Sequence, residues 1–482
     1  MIKTYCRPAA LLLLVLAGPA TAAEPVEQRS TLQDQQSVAV TIYNDGLALI
    51  KDLRQVQLAS GQNTLAFRDV SAQIRPETAL LRSVSHPGQL SVFEQNFDFD
   101  LLTPQKLLEK YVGKSVQLVT TNPATGSETR ETAQVLSANS GVVLKVGDRI
   151  ETGMPGRIVY PDVPTNLRDR PTLVMLLNNS GAAQQQLELS YLSGGLSWRA
   201  DYVAELNSKD DRLDLAGWVT LNNASGADYR NARLQLVAGD VNRVREERLY
   251  SMAKGAMDTA MPAPAPRMAE ESLLEFHLYS LDRPTTIADN QTKQVSLLSA
   301  VNVPVRKELL LHGADYYYRA SYGDLGQKIK VGVFVEFDNK ESAQLGLPLP
   351  KGIMRVYKKD GAGNAQFVGE DRIDHTPKNE KVRLKLGEAF DVTADKKQTD
   401  FKRIPDPASK EQGQYESAFE IVLKNAKPEA VTVTVQEPIP GDWKMLKTSH
   451  PHDKVASNTA QWRITVPAEG ATTLSYRVRV RH

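Results

Sequence analysis

Residues 187–239 alternate apolar and polar side chains, and this alternation restricts the fold more than any other feature of the chain. Four short runs carry it. Leu187, Leu189 and Tyr191 share one face of the first run, and Trp198, Ala200, Tyr202, Ala204 and Leu206 share one face of the second. Leu213, Leu215, Val219 and Leu221 do so in the third, and Leu234 and Leu236 in the fourth. A period of two is a strand signal, because successive side chains of a strand point to opposite faces of a sheet. The clusters Asn207-Ser208-Lys209-Asp210-Asp211 and Asn222-Asn223-Ala224-Ser225-Gly226 supply turn chemistry, since Asn, Asp and Gly tolerate left-handed backbone. The stretch predicts an antiparallel meander forming one sheet of a β-sandwich.

The same rhythm runs through the rest of the chain and predicts a mainly β protein of several antiparallel sandwiches. At 482 residues the chain exceeds what one compact core accommodates. Residues 24–36 are polar and read as a lead-in without structure. Residues 37–102 read as an N-terminal β-domain in which Val38, Val40 and Ile42 alternate before the hairpin signal Asn44-Asp45-Gly46. Thr103 and Pro104 suit the cap and first position of one short helix. With five short strands after it, that helix predicts an SH3-like barrel over residues 103–160. Residues 165–325 read as a β-sandwich interrupted by an Ala/Met/Pro-rich loop at 252–271, and residues 326–482 as an immunoglobulin-like sandwich. In that last region Ile329, Val331, Val333, Val335 and Phe337 share a face.

The N-terminus carries an export signature. Lys3 and Arg7 precede an apolar run at residues 9–17, and Ala20-Thr21-Ala22 gives a small-x-small cleavage pattern, so residues 1–22 are expected to be a cleaved signal peptide. The apolar run is about half the ~20 residues a membrane span needs. The expected location is the periplasm or the cell exterior, with no transmembrane segment after signal removal. Cys6 is the one cysteine, so the expected product has no disulfide and no thiol nucleophile. The formal charge of +1 becomes −1 once Lys3 and Arg7 leave with the signal, and this near-neutral balance argues against a nucleic-acid partner.

Reactive motifs are sparse. His450-Pro451-His452-Asp453 holds three potential metal ligands, yet Pro451 stiffens the backbone and a further ligand is needed; a polar loop is favoured. Asn96, Asp98 and Asp100 share a strand face without a calcium-type glycine loop. Asp360-Gly361-Ala362-Gly363-Asn364 is too short for a phosphate loop and reads as a hairpin. Ser251-Met252-Ala253-Lys254 matches a Ser-x-x-Lys pattern but opens the Met-rich loop instead of a helix. No catalytic, cofactor-binding or metal residue is assigned, and no cofactor is expected. Trp198 and Trp218 with Tyr191 and Tyr202 could stack a sugar, but aromatics in alternating strands are more often core, and Trp198 and Tyr202 face the same way as Ala200 and Leu206. Two contact candidates remain. Met252, Met257, Met261 and Met268 form a soft, adaptable contact loop, and thioethers are the kind of ligand Cu(I) takes, which is the less favoured reading. Tyr316, Tyr317, Tyr318 and Tyr322 form a patch, because consecutive residues of a strand cannot all face inward.

The order Tyr191, Trp198, Tyr202, Asn222, Asn223, Gly226, Leu234 and Gly239 resembles an exported bacterial domain-of-unknown-function family that includes the mucoidy inhibitor A protein. The resemblance extends through residues 279–289 (YSLDRPTTIAD), residues 347–369 and the stretch from Trp462 onward, covering residues 165–482. Tyr43-Asn44-Asp45-Gly46-Leu47-Ala48 is similar to the domain that precedes it in relatives. The resemblance implies an exported β-rich protein with a link to exopolysaccharide production; it implies no catalytic residue. Residues 103–164 stand where some relatives carry a long helical coiled coil, so a partner of that insertion is not implied. The residues favour a non-enzymatic envelope interaction or scaffold protein that binds an envelope protein or polysaccharide. A polysaccharide hydrolase with carboxylates assembled in space is the alternative, and a copper-handling protein using the Met-rich loop is a third.

Overall fold

The computed structural model describes residues 27–44, 46–153, 156–164, 167–239, 242, 268–406 and 409–481. The protein is mainly β, with one α-helix among the described residues. It divides into two compact units: one holds the chain up to Ser37 and Lys51–Tyr191, the other Val38–Ile50 and the chain from Leu192 onward.

In the first unit, strands Gln28–Ser30, Gly61–Arg68, Thr172–Asn179 and Leu90–Asp98 form a four-stranded sheet. The lead-in is therefore structured from Gln28 onward, contrary to the expectation for residues 24–36. Its stop signal is local: Thr31 caps the 3-10 turn Leu32–Asp34 in a reciprocal capping box with Asp34. Beneath the sheet Arg54 is wholly buried. It donates to Asp52 Oδ2 at 2.7 and 3.1 Å, to the Ser30 carbonyl at 3.0 Å and to the Arg68 carbonyl at 2.8 Å. Its guanidinium also lies 3.8 Å from the Phe67 ring centroid.

The helix Pro104–Lys110 forms as the sequence predicts, with the Thr103 side chain accepting from the Lys106 amide and Pro104 in the first turn. Leu108 and Tyr111 pack on Val116, Leu118, Val135 and Leu144 in a separate small core. The five strands that follow do not close into the expected barrel. They make an open sheet whose edges, among the described residues, are Arg149–Thr152 and Arg157–Val159. These edge strands have four and three residues, too few for the stagger that closure requires.

The second unit contains most of the meander. Leu196–Leu206 pairs antiparallel with Arg212–Asn223, and Trp198, Ala200, Tyr202, Ala204, Leu213, Leu215, Val219 and Leu221 are all buried, as their phase predicts. The meander is not one sheet, however. Tyr229–Ala238 lies in a different sheet, where residues 233–237 run parallel to residues 39–43. The reason is the turn at 222–226. Asn223 is fully buried, its amide donating to the carbonyls of Ala227, Ile287 and Ala288 while its oxygen accepts from the Ser225 amide and hydroxyl. A buried side chain satisfied in this way turns a hairpin signal into an arch that carries the chain to another sheet.

Two long strands, Gln291–His312 and Lys381–Asp406, run on into the C-terminal part of the unit. There Asp324–Asp338, Lys381–Asp406, Ser409–Asn425, Gly470–Arg481 and Asp442–Thr448 pair in succession, and Val431–Pro438 joins residues 309–312 in parallel. A continuous core fills this region, with Phe419, Ile421, Leu423, Val433, Val435, Trp462, Ile464, Leu474 and Val478 among its buried members.

Candidate functional site

Two charges interrupt the apolar stripes of the C-terminal core. In Lys381–Asp406 the inward positions read Val392, Ala394, Lys396 and Gln398; from Val431–Pro438 onward they read Val433, Val435, Glu437 and Ile439. Alternation alone sends Lys396 and Glu437 into the core. They meet there as an ion pair, Lys396 Nζ lying 2.7 Å from Glu437 Oε1 and 2.6 Å from Oε2, with side chains 2% and 0% exposed. Each buried charge costs several kcal/mol of desolvation, so such a pair persists only when its remaining hydrogen-bonding capacity is also used. Here it is. Tyr318 donates to Glu437 Oε2 at 2.9 Å, and its hydroxyl lies 2.9 Å from that of Tyr476. The Lys396 ammonium sits 4.1 Å from the Tyr317 ring centroid and 5.3 Å from that of Phe419. Gly313 permits the approach, because a Cβ there would fall 2.3 Å from Glu437 Oε2.

Burial sets the protonation states. It pushes the Lys396 ammonium down, and attraction to Glu437 opposes that push without cancelling it. It pushes the Tyr318 and Tyr476 hydroxyls well above their ordinary value, with the Glu437 charge adding to both shifts. Tyr317 is pushed up to about 12, chiefly by burial and then by Tyr316. Both fully buried hydroxyls therefore keep their protons beyond the pH at which a free tyrosine loses its own, so Tyr318 goes on donating to the carboxylate into the alkaline range.

This network holds a turn. Residues Asp315–Tyr318 form a 3-10 helix, not the strand assumed in grouping the tyrosines. At three residues per turn, successive rings diverge by about 120°. Tyr318 accordingly points into the core, Tyr317 is half-buried over Lys396, and Tyr316 is 50% exposed. Tyr316 meets Tyr317 and Tyr322 edge-on, with ring centroids 4.7 and 5.8 Å apart. Gln398 secures the far end: its amide nitrogen donates to the carbonyls of Tyr317 and Ala320, and its oxygen accepts from the Tyr322 amide. The four tyrosines thus split into an inner anchor, Tyr318, and an outer cluster. On the other face of the same strands, away from the core, a groove of about 400 Å3 is lined by Gly323, Asp324, Gln327, Asp395, Lys397, Glu420 and Val422, and no tyrosine of the cluster lines it.

The other sequence candidates fall elsewhere. Met252, Met257 and Met261, like the Ser251–Lys254 motif, lie outside the described residues; Met268 is buried at 5% exposure. His450 Nδ1 contacts Ser449 Oγ, and the His452 ring lies among Trp443 and Trp462. Among the described residues no group of three His, Cys, Asp or Glu is placed to hold a metal ion. Asp98 pairs with Arg168 and Asp100 with Lys110. Asp360 accepts from the Ala362 and Asn364 amides, closing a hairpin. Tyr191, Trp198 and Tyr202 are core, and the Tyr202 hydroxyl donates to the Pro350 carbonyl at 2.8 Å.

Sequence reasoning missed Lys396, Glu437, Gln398 and Tyr476. A signal was present: a charge in phase with an apolar period-two stripe, once on each of two strands. No curated protein matches the chain significantly. The model of the DUF4139 family, a domain of unknown function, matches residues 187–482 and so takes in the whole ion-pair network and the tyrosine turn. The chain belongs to the DUF4139 family.

Proposed function

We propose that the protein is an exported, non-enzymatic interaction or scaffold module of the cell envelope that engages its partner through the Tyr316–Tyr317–Tyr322 cluster. The observation that carries this reading is the division of labour in the turn. Tyr318, Glu437 and Lys396 satisfy one another in the core, which leaves Tyr316 at the surface on a rigidly held backbone. Aromatic side chains on a pre-organised turn give contact area at small entropic cost. The Asp395 carboxyl is held low by the Lys328 amide and then by Lys424, the opposite of the displacement a general acid needs. Export is supported by Lys3, Arg7, the apolar run at 9–17 and Ala20-Thr21-Ala22. Likeness of residues 165–482 to relatives of the mucoidy inhibitor A protein supports a place near exopolysaccharide production.

The test is a paired capture from envelope extract, with wild-type protein and Tyr316→Ala as baits. A partner retained by the first and lost by the second is expected. Identical captures would remove the turn from the interaction.

A further inference from the structure

Lys307 and Lys358 repeat the signal of Lys396: each is a cation in the apolar phase of its strand. Lys307 lies opposite Val335 in register and Lys358 beside Leu206, so both share the face on which Val335 and Leu206 are buried. There they converge on one carboxylate. Asp210 sits in the turn between Leu196–Leu206 and Arg212–Asn223, its Oδ2 2.8 Å from Lys307 Nζ and its Oδ1 2.6 Å from Lys358 Nζ. We propose that these three groups and the apolar cavity they border bind a monocarboxylate with an apolar tail, an aliphatic or aryl acid of about eight carbons. The site shares no residue with the tyrosine turn and goes beyond the contact-surface reading, so failure of either test leaves the other standing.

Three observations lead there. The first is the cavity itself. It measures about 220 Å3, and Leu206, Val333, Val335, Val368 and Leu386 stand in its wall beside the two lysines. Gly387, also in the wall, adds no side chain, and a Cβ there would meet nothing within 4 Å. Gly369 closes one side. A Cβ on it would fall 2.3 Å from the Leu386 carbonyl oxygen, so glycine is what lets strand Ala365–Ile373 come this close and set Val368 at the cavity. An apolar cavity of about 150 Å3 takes a benzene ring, so this one takes a ring with a short arm or a chain of similar size. Small-ligand sites ordinarily combine such an apolar wall with a few convergent polar groups.

The second is the charge. Burial raises the Asp210 carboxyl, but its bonds to Lys307 and Lys358 outweigh that and hold it below its ordinary value, so it is an anion between two cations. Glu388 also borders the cavity, yet it lies opposite Gly332 in register, one residue out of phase with Val333, and its side chain takes the other face. Lys359 is out of phase with Lys358 in the same way and pairs with Glu205 at 2.7 Å. Two ammonium groups and one carboxylate leave a single positive charge at the cavity, which a monoanion cancels and a dianion overshoots. The third is donor capacity. Each ammonium carries three N–H donors and turns one toward Asp210, so a second carboxylate can bridge the pair from the cavity side.

The experiment titrates the full chain by calorimetry with octanoate, with octanamide as its neutral counterpart and with suberate as the dianion of equal length, all at one ionic strength. Octanoate should bind with a Kd at or below about 1 mM, octanamide at least about tenfold more weakly, and suberate no more tightly than octanoate. Lys358→Met should weaken octanoate about tenfold. Asp210→Asn should tighten it about threefold, because the competing charge goes while the left-handed backbone at this position, φ 58°, suits Asn. Both variants should melt within about 3 °C of wild type, as the loss of half-exposed ion pairs implies. No octanoate bound at about 10 mM, or octanamide bound equally well, would overturn the proposal. So would weaker octanoate binding by Asp210→Asn in a variant that keeps its melting temperature. A peptide ending in leucine with a free carboxylate that bound more than about tenfold tighter than octanoate would make a chain terminus the ligand and would overturn it too.

Discussion

Each unit of the protein buries an ion pair, and the two pairs serve different ends. In the first unit Arg54 ties Asp52, the Ser30 carbonyl and the Arg68 carbonyl together and stacks on Phe67. Every partner is part of the sheet or the strand beneath it. In the second unit Lys396 and Glu437 also lie on strands, but through Tyr318 and the Tyr317 ring they grip a surface turn. A planar guanidinium offers five donors in a fixed fork and suits the joining of several carbonyls. A compact ammonium fits under a ring and against one carboxylate. One pair therefore braces a sheet, and the other holds a turn in place for contact.

The largest expected effect probes the first pair. Arg54→Met leaves Asp52 buried without its cation and should cost about 3–5 kcal/mol in denaturant unfolding. A loss near zero would show that the pair does not brace the sheet. The next probes the second pair. Lys396→Met should cost about 3 kcal/mol by the same reasoning, and adding Glu437→Gln should restore more than half of it, since a neutral amide still accepts from Tyr318. Failure of the double variant to recover would mean that the network, not the stranded charge, carries the energy.

Alkaline titration sharpens the contrast further, because two buried hydroxyls belong to the second pair. Tyr318 and Tyr476 have folded values raised above the ordinary value, so their contribution is complete below about pH 10 and is lost as pH rises beyond it. Lys396, whose folded value is lowered, works in the opposite sense, but only up to about pH 10.5, where the unfolded amine has also released its proton. Above that point each buried tyrosine should remove about 1.4 kcal/mol per pH unit. Tyr318→Phe should flatten the slope by that amount in urea melts run at stepped pH; an unchanged slope would contradict the burial-driven shift. The smallest stability effect belongs to Tyr316→Ala, expected within about 0.5 kcal/mol of wild type by thermal melting, while partner capture is lost.

Much of the fold was legible because period-two alternation is a direct consequence of strand geometry. Tyr202, Leu215, Val333, Val433 and Val435 occupy the faces or cores that this phase implies. What stayed hidden was which strand sits beside which. Residues 39–43 run parallel to residues 233–237 across nearly two hundred positions of chain, and no local pattern records that. The turn at 222–226 looked like a hairpin because its residue types are the same; only the buried contacts of Asn223 with Ile287 and Ala288 make it an arch. The tyrosine run was singled out on an argument about strands, yet a 3-10 turn distributes the rings. Lys396 and Glu437 were readable as charges in apolar phase, but their pairing depends on two strands about forty residues apart in sequence meeting through the core.

The central claim is that the Lys396–Glu437 pair positions the turn, and amide hydrogen exchange in Lys396→Met tests it directly. Protection should fall at residues 315–323, where Tyr322 depends on Gln398, while the Phe419–Leu423 stretch of the core keeps its slow exchange once global stability is matched with a mild stabilising osmolyte. A uniform rise across both regions, with the turn no more affected than the core, would show that the pair stabilises the sandwich as a whole and does not hold the tyrosines.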